Sequence, residues 1–287
     1  MSPRIRIALA ALLFSTGGAA IKAADFSAWQ IASLRSGVAA ITLFLLVPSA
    51  RRGFGWKPAL VGVAYAATLI LFVLANRLTT SANTIYLQST APLYVLLLAP
   101  LLLKERIRPS DIPIIFAVLG GLALVLLGAN PPSSTAPDPA RGNVLAAVSG
   151  LSYALLLCGL RWLGRDGDAD RGVSAVLLGN AIACVVALPM ALPLGSHPAT
   201  ALGIILYLGI FQIAGAYLLV TSALRHVPAI EASLMLLVET AFNPFWAWLL
   251  LGEVPAALAL VGGGLIIGAT ILQAIRSPGT VPTPDVV

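Results

Sequence analysis

Long apolar runs separated by short polar breaks dominate the chain. A helix crossing the ~30 Å hydrocarbon core of a bilayer needs about 20 mostly apolar residues. Ten stretches of that kind are bounded by charge, proline or glycine: Ile5 to Ile21, Ser27 to Val47, Ala59 to Asn76, Ser81 to Leu103, Ser110 to Gly128, Asn143 to Leu163, Gly172 to Leu192, Thr200 to Leu224, Ala229 to Leu251 and Pro255 to Ile275. Their continuity argues against a membrane barrel, whose strands alternate over about ten residues. The pattern predicts an all-α polytopic membrane protein with ten transmembrane helices.

Composition agrees. Over 287 residues, 59% are hydrophobic and 10% charged, whereas soluble domains carry roughly 25% charged residues. Most soluble enzyme folds are thereby excluded. The net charge of +6 does not point to nucleic acid, because the basic residues fall between apolar runs rather than along one face. Cys158 and Cys184 both sit inside apolar runs, without a CxxC or Cys/His cluster, so neither a disulfide scaffold nor a metal is expected. No cofactor is implied.

Positively charged short loops stay preferentially in the cytoplasm. With the N-terminus inside, that side collects Arg4, Arg6, Arg51, Arg52, Lys57, Lys104, Arg106, Arg108, Arg161, Arg165, Arg171, Arg225 and Arg276, against Lys22, Arg77 and Arg141 opposite. Both termini are thus expected in the cytoplasm, with a disordered tail over 277–287. Trp29, Trp56, Trp162, Trp246 and Trp248 all fall near expected interfaces, as headgroup anchors do. The N-terminal segment also has the look of a secretory signal peptide, with Arg4 and Arg6 ahead of a short apolar stretch and the small residues Gly17 to Ala20 after it. Its removal would break the charge pattern, so it is read as a membrane helix.

The chain also resembles itself. At one constant offset Ala75, Arg77, Glu105 and Gly120 fall on Ala223, Arg225, Glu253 and Gly268, and at a slightly smaller one Phe14 and Lys22 fall on Tyr153 and Arg161. Two five-helix halves, 1–128 and 143–276, are therefore expected, joined by an extracytoplasmic linker over 129–142. Because five is odd, the second half enters the membrane from the opposite side. Inverted repeats of this kind are characteristic of secondary transporters.

Lys22 after the small-residue run, Arg35 inside the second run, Pro92 ahead of Leu103-Lys104-Glu105, the counterpart Leu251-Gly252-Glu253, and Gly120, Gly121, Gly262 and Gly268 carry a resemblance. The chain resembles the drug/metabolite transporter superfamily, in particular its ten-helix bacterial members with two EamA-type repeats, and among these the YddG-like exporters of aromatic amino acids. Two positions depart from the pattern: the Trp-Gly of the first helix is Phe14-Ser15-Thr16-Gly17, and the expected proline at 240 is Thr240. The resemblance implies export of a small metabolite across the bacterial inner membrane, and a central cavity walled by the third, fourth, eighth and ninth helices with contributions from the first and sixth.

Polar groups retained deep in lipid usually face a partner or a wet cavity. In the fourth run Asn83, Tyr86, Thr90 and Tyr94 share one helical stripe, flanked by Gln88 and Ser89, and in the ninth Met235, Glu239, Asn243 and Trp246 share another. Asn76, with Tyr65 and Phe72, Tyr153, and Gln212 with Tyr217 complete the candidates. Glu239 is the single carboxylate well inside a run, suited to carrying a proton, engaging an ammonium group or pairing with Arg35, the one deep basic residue. Tyrosines here serve equally well as core packing. Glu105 and Glu253, at run ends, suit helix capping, and Gly264 with Gly268 form a GxxxG read as an intramolecular contact. Pro92, Pro100, Pro189 and Pro244 are expected to bend helices.

An intramembrane serine protease is the enzymatic rival, because Gly150-Leu151-Ser152 gives a bare GxS, but His197 and His226 lie at run ends, far from a serine inside its own. A passive channel-like facilitator is the more serious alternative. The expected partners are a small-molecule substrate and the lipid bilayer, not nucleic acid, with a monomer as the working unit and a dimer left open.

Overall fold

The computed structural model describes residues 2–102, 112–128, 131–164, 169–224 and 229–276. Every expected run carries helix: α1 (Pro3–Ser15) with α2 (Gly17–Ala23), α3 (Ala28–Leu46), α4 (Trp56–Leu78), α5 (Ser81–Gln88) with α6 (Ala91–Leu102), α7 (Ile112–Leu127), α8 (Pro139–Gly164), α9 (Ala169–Ala191), α10 (Ala199–Tyr207) with α11 (Ala216–Leu224), α12 (Ala229–Leu251) and α13 (Ala257–Arg276). Six helical spans are long and apolar enough to cross a membrane, among them Trp56–Leu78 and Pro139–Gly164, and Ile112–Leu127 and Ala257–Ala269 are shorter apolar helices. The fold is all-α and polytopic. Glu105, several loop arginines and the tail over 277–287 lie outside the described residues.

Local chemistry explains the starts. Ser27 and Gln30 form a reciprocal capping box at the head of α3, the Gln30 amide donating to Ser27 Oγ at 3.2 Å and the Ser27 amide to Gln30 Oε1 at 2.9 Å. Pro3, the first residue of α1, fixes φ at a position where no amide donor is needed. Gly252, at φ 66°, turns the chain after α12 as residues with a Cβ rarely can.

Three expected continuous helices are interrupted. The first breaks at Thr16: Ser15 Oγ and Thr16 Oγ1 donate to Leu12 and Leu13 carbonyls, both at 2.7 Å, just before two glycines. Such hydroxyls offer the carbonyls an alternative to helical partners, and glycine weakens the helix that follows. The fourth breaks at Ser89 and Thr90, where Thr90 Oγ1 donates to the Leu87 carbonyl at 2.6 Å and Pro92 follows. Pro92 therefore lies in the first turn of α6 rather than bending a helix midway. The eighth passes through a π-helical turn, Leu208–Gly215. Pro189 and Pro244 do lie within α9 and α12. The expected stripe of Asn83, Tyr86, Thr90 and Tyr94 is thus divided between α5, the break and α6.

α4 packs on α8 and α9, α1 on α11 and α12, α3 on α9, and α7 on α13. Helix ends meet helix starts across the bundle. Lys22, at the end of α2, donates to the carbonyl of Thr79 at 2.7 Å, and Thr79 Oγ1 donates to Asn143 Oδ1 near the start of α8 at 2.7 Å. The end of the first helix thereby meets the beginning of the sixth. Glu253, just past the end of α12, accepts from the Ser81 amide at the start of α5 at 3.0 Å, so the ninth ends where the fourth begins.

The glycine contact between α7 and α13 differs from expectation. A Cβ on Gly121 would stand 2.7 Å from the Gly262 carbonyl oxygen, and one on Gly262 2.6 Å from that of Gly121, whereas Gly264 and Gly268 have nothing within 4 Å. The close approach uses Gly121 and Gly262, because the GxxxG pair lies on the outward face of α13.

Candidate functional site

α12 reaches both helix breaks. Thr240 Oγ1 lies 3.2 Å from Ser89 Oγ at the break between α5 and α6. One turn on, Asn243 Oδ1 abuts Gly18 so closely that a Cβ there would stand 2.3 Å from it, and Trp246 Nε1 donates to Ser15 Oγ at 3.0 Å. The π-helical turn closes the same region from the other side. Gln212 Nε2 donates to the Phe14 carbonyl at 3.5 Å, and the Thr16 hydroxyl lies 2.8 Å from that of Tyr207. Gly17 and Gly18 are needed here because their bare Cα atoms admit the Gln212 and Asn243 amides.

This polar region is buried and incompletely satisfied. Asn243 has no partner at either amide atom, and Gln212 Oε1 and Asn76 Oδ1 have none. Asn76 Nδ2 reaches Ser81 Oγ at 3.4 Å, beside Gly18. Buried polar groups are normally hydrogen-bonded, so a cluster of orphaned amides at two helix breaks marks a place where something polar belongs.

A second, aromatic group lies next to it. Tyr217 meets Phe14 edge to face at 5.3 Å and Tyr65 at 5.4 Å. Glu239 is within electrostatic range of Tyr153 and Tyr217, and Arg35 of Tyr65 and Tyr217. Arg35 is 2% exposed. Its Nη2 donates to the Leu69 carbonyl at 3.1 Å, and its Nε has no partner. The expected Arg35–Glu239 ion pair is not formed among the described residues, because the guanidinium is held on α4 by that carbonyl.

The remaining candidates divide. Asn83 Nδ2 donates to Asn143 Oδ1 at 3.2 Å and Gln88 Nε2 to Ser149 Oγ at 2.9 Å, so both tie α5 to α8. Tyr86 packs its ring on Gly263 of α13, where a Cβ would stand 2.6 Å away. Ser89 and Trp246 sit at the breaks; Tyr94, half-buried, lies on α6 beyond one of them. The side chain of Met235 lies outside the described residues. Trp56 and Trp248 are exposed as anchors should be, at 70% and 54%, whereas Trp246 turns inward. Ser152 Oγ donates to the Val148 carbonyl of its own helix at 3.1 Å, and His197 lies against the Phe26 ring at 3.9 Å, which leaves the GxS motif without the base a protease requires at His197; His226 lies outside the described residues.

Sequence reasoning passed over Lys22 and Glu253 as a unit. Lys22 Nζ and Glu253 Oε1 form an ion pair at 3.0 Å, with side chains 4% and 3% exposed. Lys22 also donates to the carbonyls of Thr79 and Thr135, and Arg77 Nη1 donates to the Lys22 carbonyl at 3.2 Å. This cluster closes one end of the bundle above Gly18 and Ser81. The expected capping role of Glu253 is present in its bond to the Ser81 amide. The Gly17-Gly18 pair inside an apolar run, preceded by two hydroxyl residues, was the local signal for the break.

Three comparisons bear on identity. The description EamA-like transporter family matches twice, over residues 4–127 and 140–274. The pseudopaline exporter CntI of Pseudomonas aeruginosa, in strains UCBPP-PA14 and PAO1, is 30% identical over 276 residues, 92% of each chain. A solved crystal structure superposes with a TM-score of 0.63 at 18% identity, over 96% of this chain and 99% of that one, a likeness of fold. The chain, a multi-pass membrane protein by its apolar helices, belongs to the EamA-like transporter family.

Proposed function

We propose that the protein is a secondary transporter that exports a small amino-acid-like or related amphipathic metabolite by alternating access. One observation carries this: α12 meets two broken helices at a buried polar cluster, which the π-helical turn reaches through Gln212. Discontinuous helices at a repeat interface are where transporters of this construction bind their cargo, and rocking of one half against the other exposes such a site to each side in turn. Tyr65, Tyr153, Tyr217 and Phe14 supply apolar faces for an aromatic or aliphatic side chain, and Asn76, Gln212 and Asn243 supply polar grips. The Pseudomonas relatives are pseudopaline exporters, which makes pseudopaline the first compound to test beside the amino acids. The loop arginines support a cytoplasmic location for both termini.

Counterflow in proteoliposomes tests the proposal. Preloaded substrate should accelerate uptake of labelled substrate, whereas a continuously open pore gives no trans-stimulation. Assays across pH with Glu239→Gln assign the carboxylate its part: an unchanged rate and pH profile removes it from the mechanism.

A further inference from the structure

Arg35 is buried and Glu239 half-buried; they carry opposite charges, neither is in an ion pair among the described residues, and both lie within electrostatic range of Tyr217. An unpaired charge in a low-dielectric interior is costly, and proteins retain one there when a partner arrives from elsewhere. The Arg35 guanidinium is fixed rather than free to swing: Nη2 is committed to the Leu69 carbonyl at 3.1 Å and the Nε edge is left without an acceptor. A planar guanidinium with an open edge is the preferred receptor for a carboxylate. Glu239 stands on α12, one turn after Leu236, which packs with Phe14 on the Ala10 and Ala216 cluster, and one position before Thr240 at the Ser89 break, within electrostatic range of Tyr153 and Tyr217. The two charges therefore flank an aromatic group formed by Tyr65, Tyr217 and Phe14, whose rings meet at 5.3–5.4 Å.

We infer that the site recognises zwitterions, with Arg35 taking the carboxylate of the cargo and Glu239 its ammonium group across the face of Tyr217. The inference rests on the exporter reading and deepens it by naming the charge pattern of the substrate. A compound with both groups neutralises both residues at once. An amine or an acid alone leaves one residue unpaired, and losing a hydrogen bond to a charged group costs about tenfold to a hundredfold in affinity.

The test is a matched panel on the full-length protein in liposomes: the common amino acids and pseudopaline, the decarboxylated amine of each amino acid, such as phenethylamine for phenylalanine, and the deaminated acid, such as 3-phenylpropionate. Transport that favours at least one zwitterion tenfold or more over both of its single-charge analogues is expected. Equal or better transport of the amine or the acid overturns the inference while leaving an exporter in place. If no compound of any class, amphipathic cations included, is carried or shows counterflow, the exporter reading itself fails. Arg35→Gln should abolish the preference for phenylalanine over phenethylamine, and Glu239→Gln the preference over 3-phenylpropionate. If either variant is not monodisperse, Arg35→Lys or Glu239→Asp replaces it, with the preference expected to shrink but persist.

Discussion

Lys22 and Glu253, 231 positions apart, form a buried ion pair at 3.0 Å that joins the end of α2 to the turn after α12. Glu253 uses its second oxygen on the Ser81 amide, and Lys22 holds the carbonyl of Thr79, so one pair clasps four segments. Removing one partner of a buried pair leaves an uncompensated charge, at a cost of roughly 3–5 kcal/mol. Lys22→Met and Glu253→Gln should each lower the thermal unfolding midpoint sharply. The double variant Lys22→Met/Glu253→Gln should fall by less than the two single losses added together, and simple additivity in detergent melts would argue against a coupled pair.

Gly18 admits the Asn243 amide with no room for a methyl group, since a Cβ would lie 2.3 Å from Oδ1. Gly18→Ala should suppress transport with protein levels matched. Shortening the opposing side chain in Gly18→Ala/Asn243→Ala should restore the fold measured by melting, but not transport, if Asn243 grips the cargo.

The two glycine pairs of α13 separate by experiment. Gly262→Val, pressed on the Gly121 backbone and on Leu124, should destabilise by about 1–3 kcal/mol as overpacked cores do. Gly264→Ala and Gly268→Ala, with open space around them, should be neutral or stabilising by up to about 1 kcal/mol each from helix propensity. Melting curves of the three variants decide; a large loss for Gly264→Ala or Gly268→Ala would show that the outward face is an interface.

Trp246→Phe and Ser15→Ala each remove the same hydrogen bond. Each should cost about 0.5–1.5 kcal/mol, and the double variant little more than either alone. Full additivity would place the Trp246 indole elsewhere.

Tags at the two ends of the chain should be accessible from the same face of the membrane in intact cells. Tags on opposite faces would contradict the charge-based orientation and the opposed halves together.

Much of the architecture was legible along the chain because a span's hydropathy is a property of one segment facing lipid, independent of its neighbours. The runs, the all-helical class and the family followed from that one-dimensional pattern and from Lys22, Arg35 and the glycines. The break at Thr16 was half legible, in Ser15-Thr16-Gly17-Gly18. What only the tertiary structure decided is which polar groups meet. Glu239 and Arg35 look like natural partners as the two deep charges, yet the Leu69 carbonyl holds the guanidinium and leaves them apart. Gly264 and Gly268 fit a packing motif, yet Gly121 and Gly262 make the contact. Hydrogen bonds and close backbone approach act over about 3 Å and depend on how helices rotate about their axes, which spacing along a sequence constrains only within one helix and never between two.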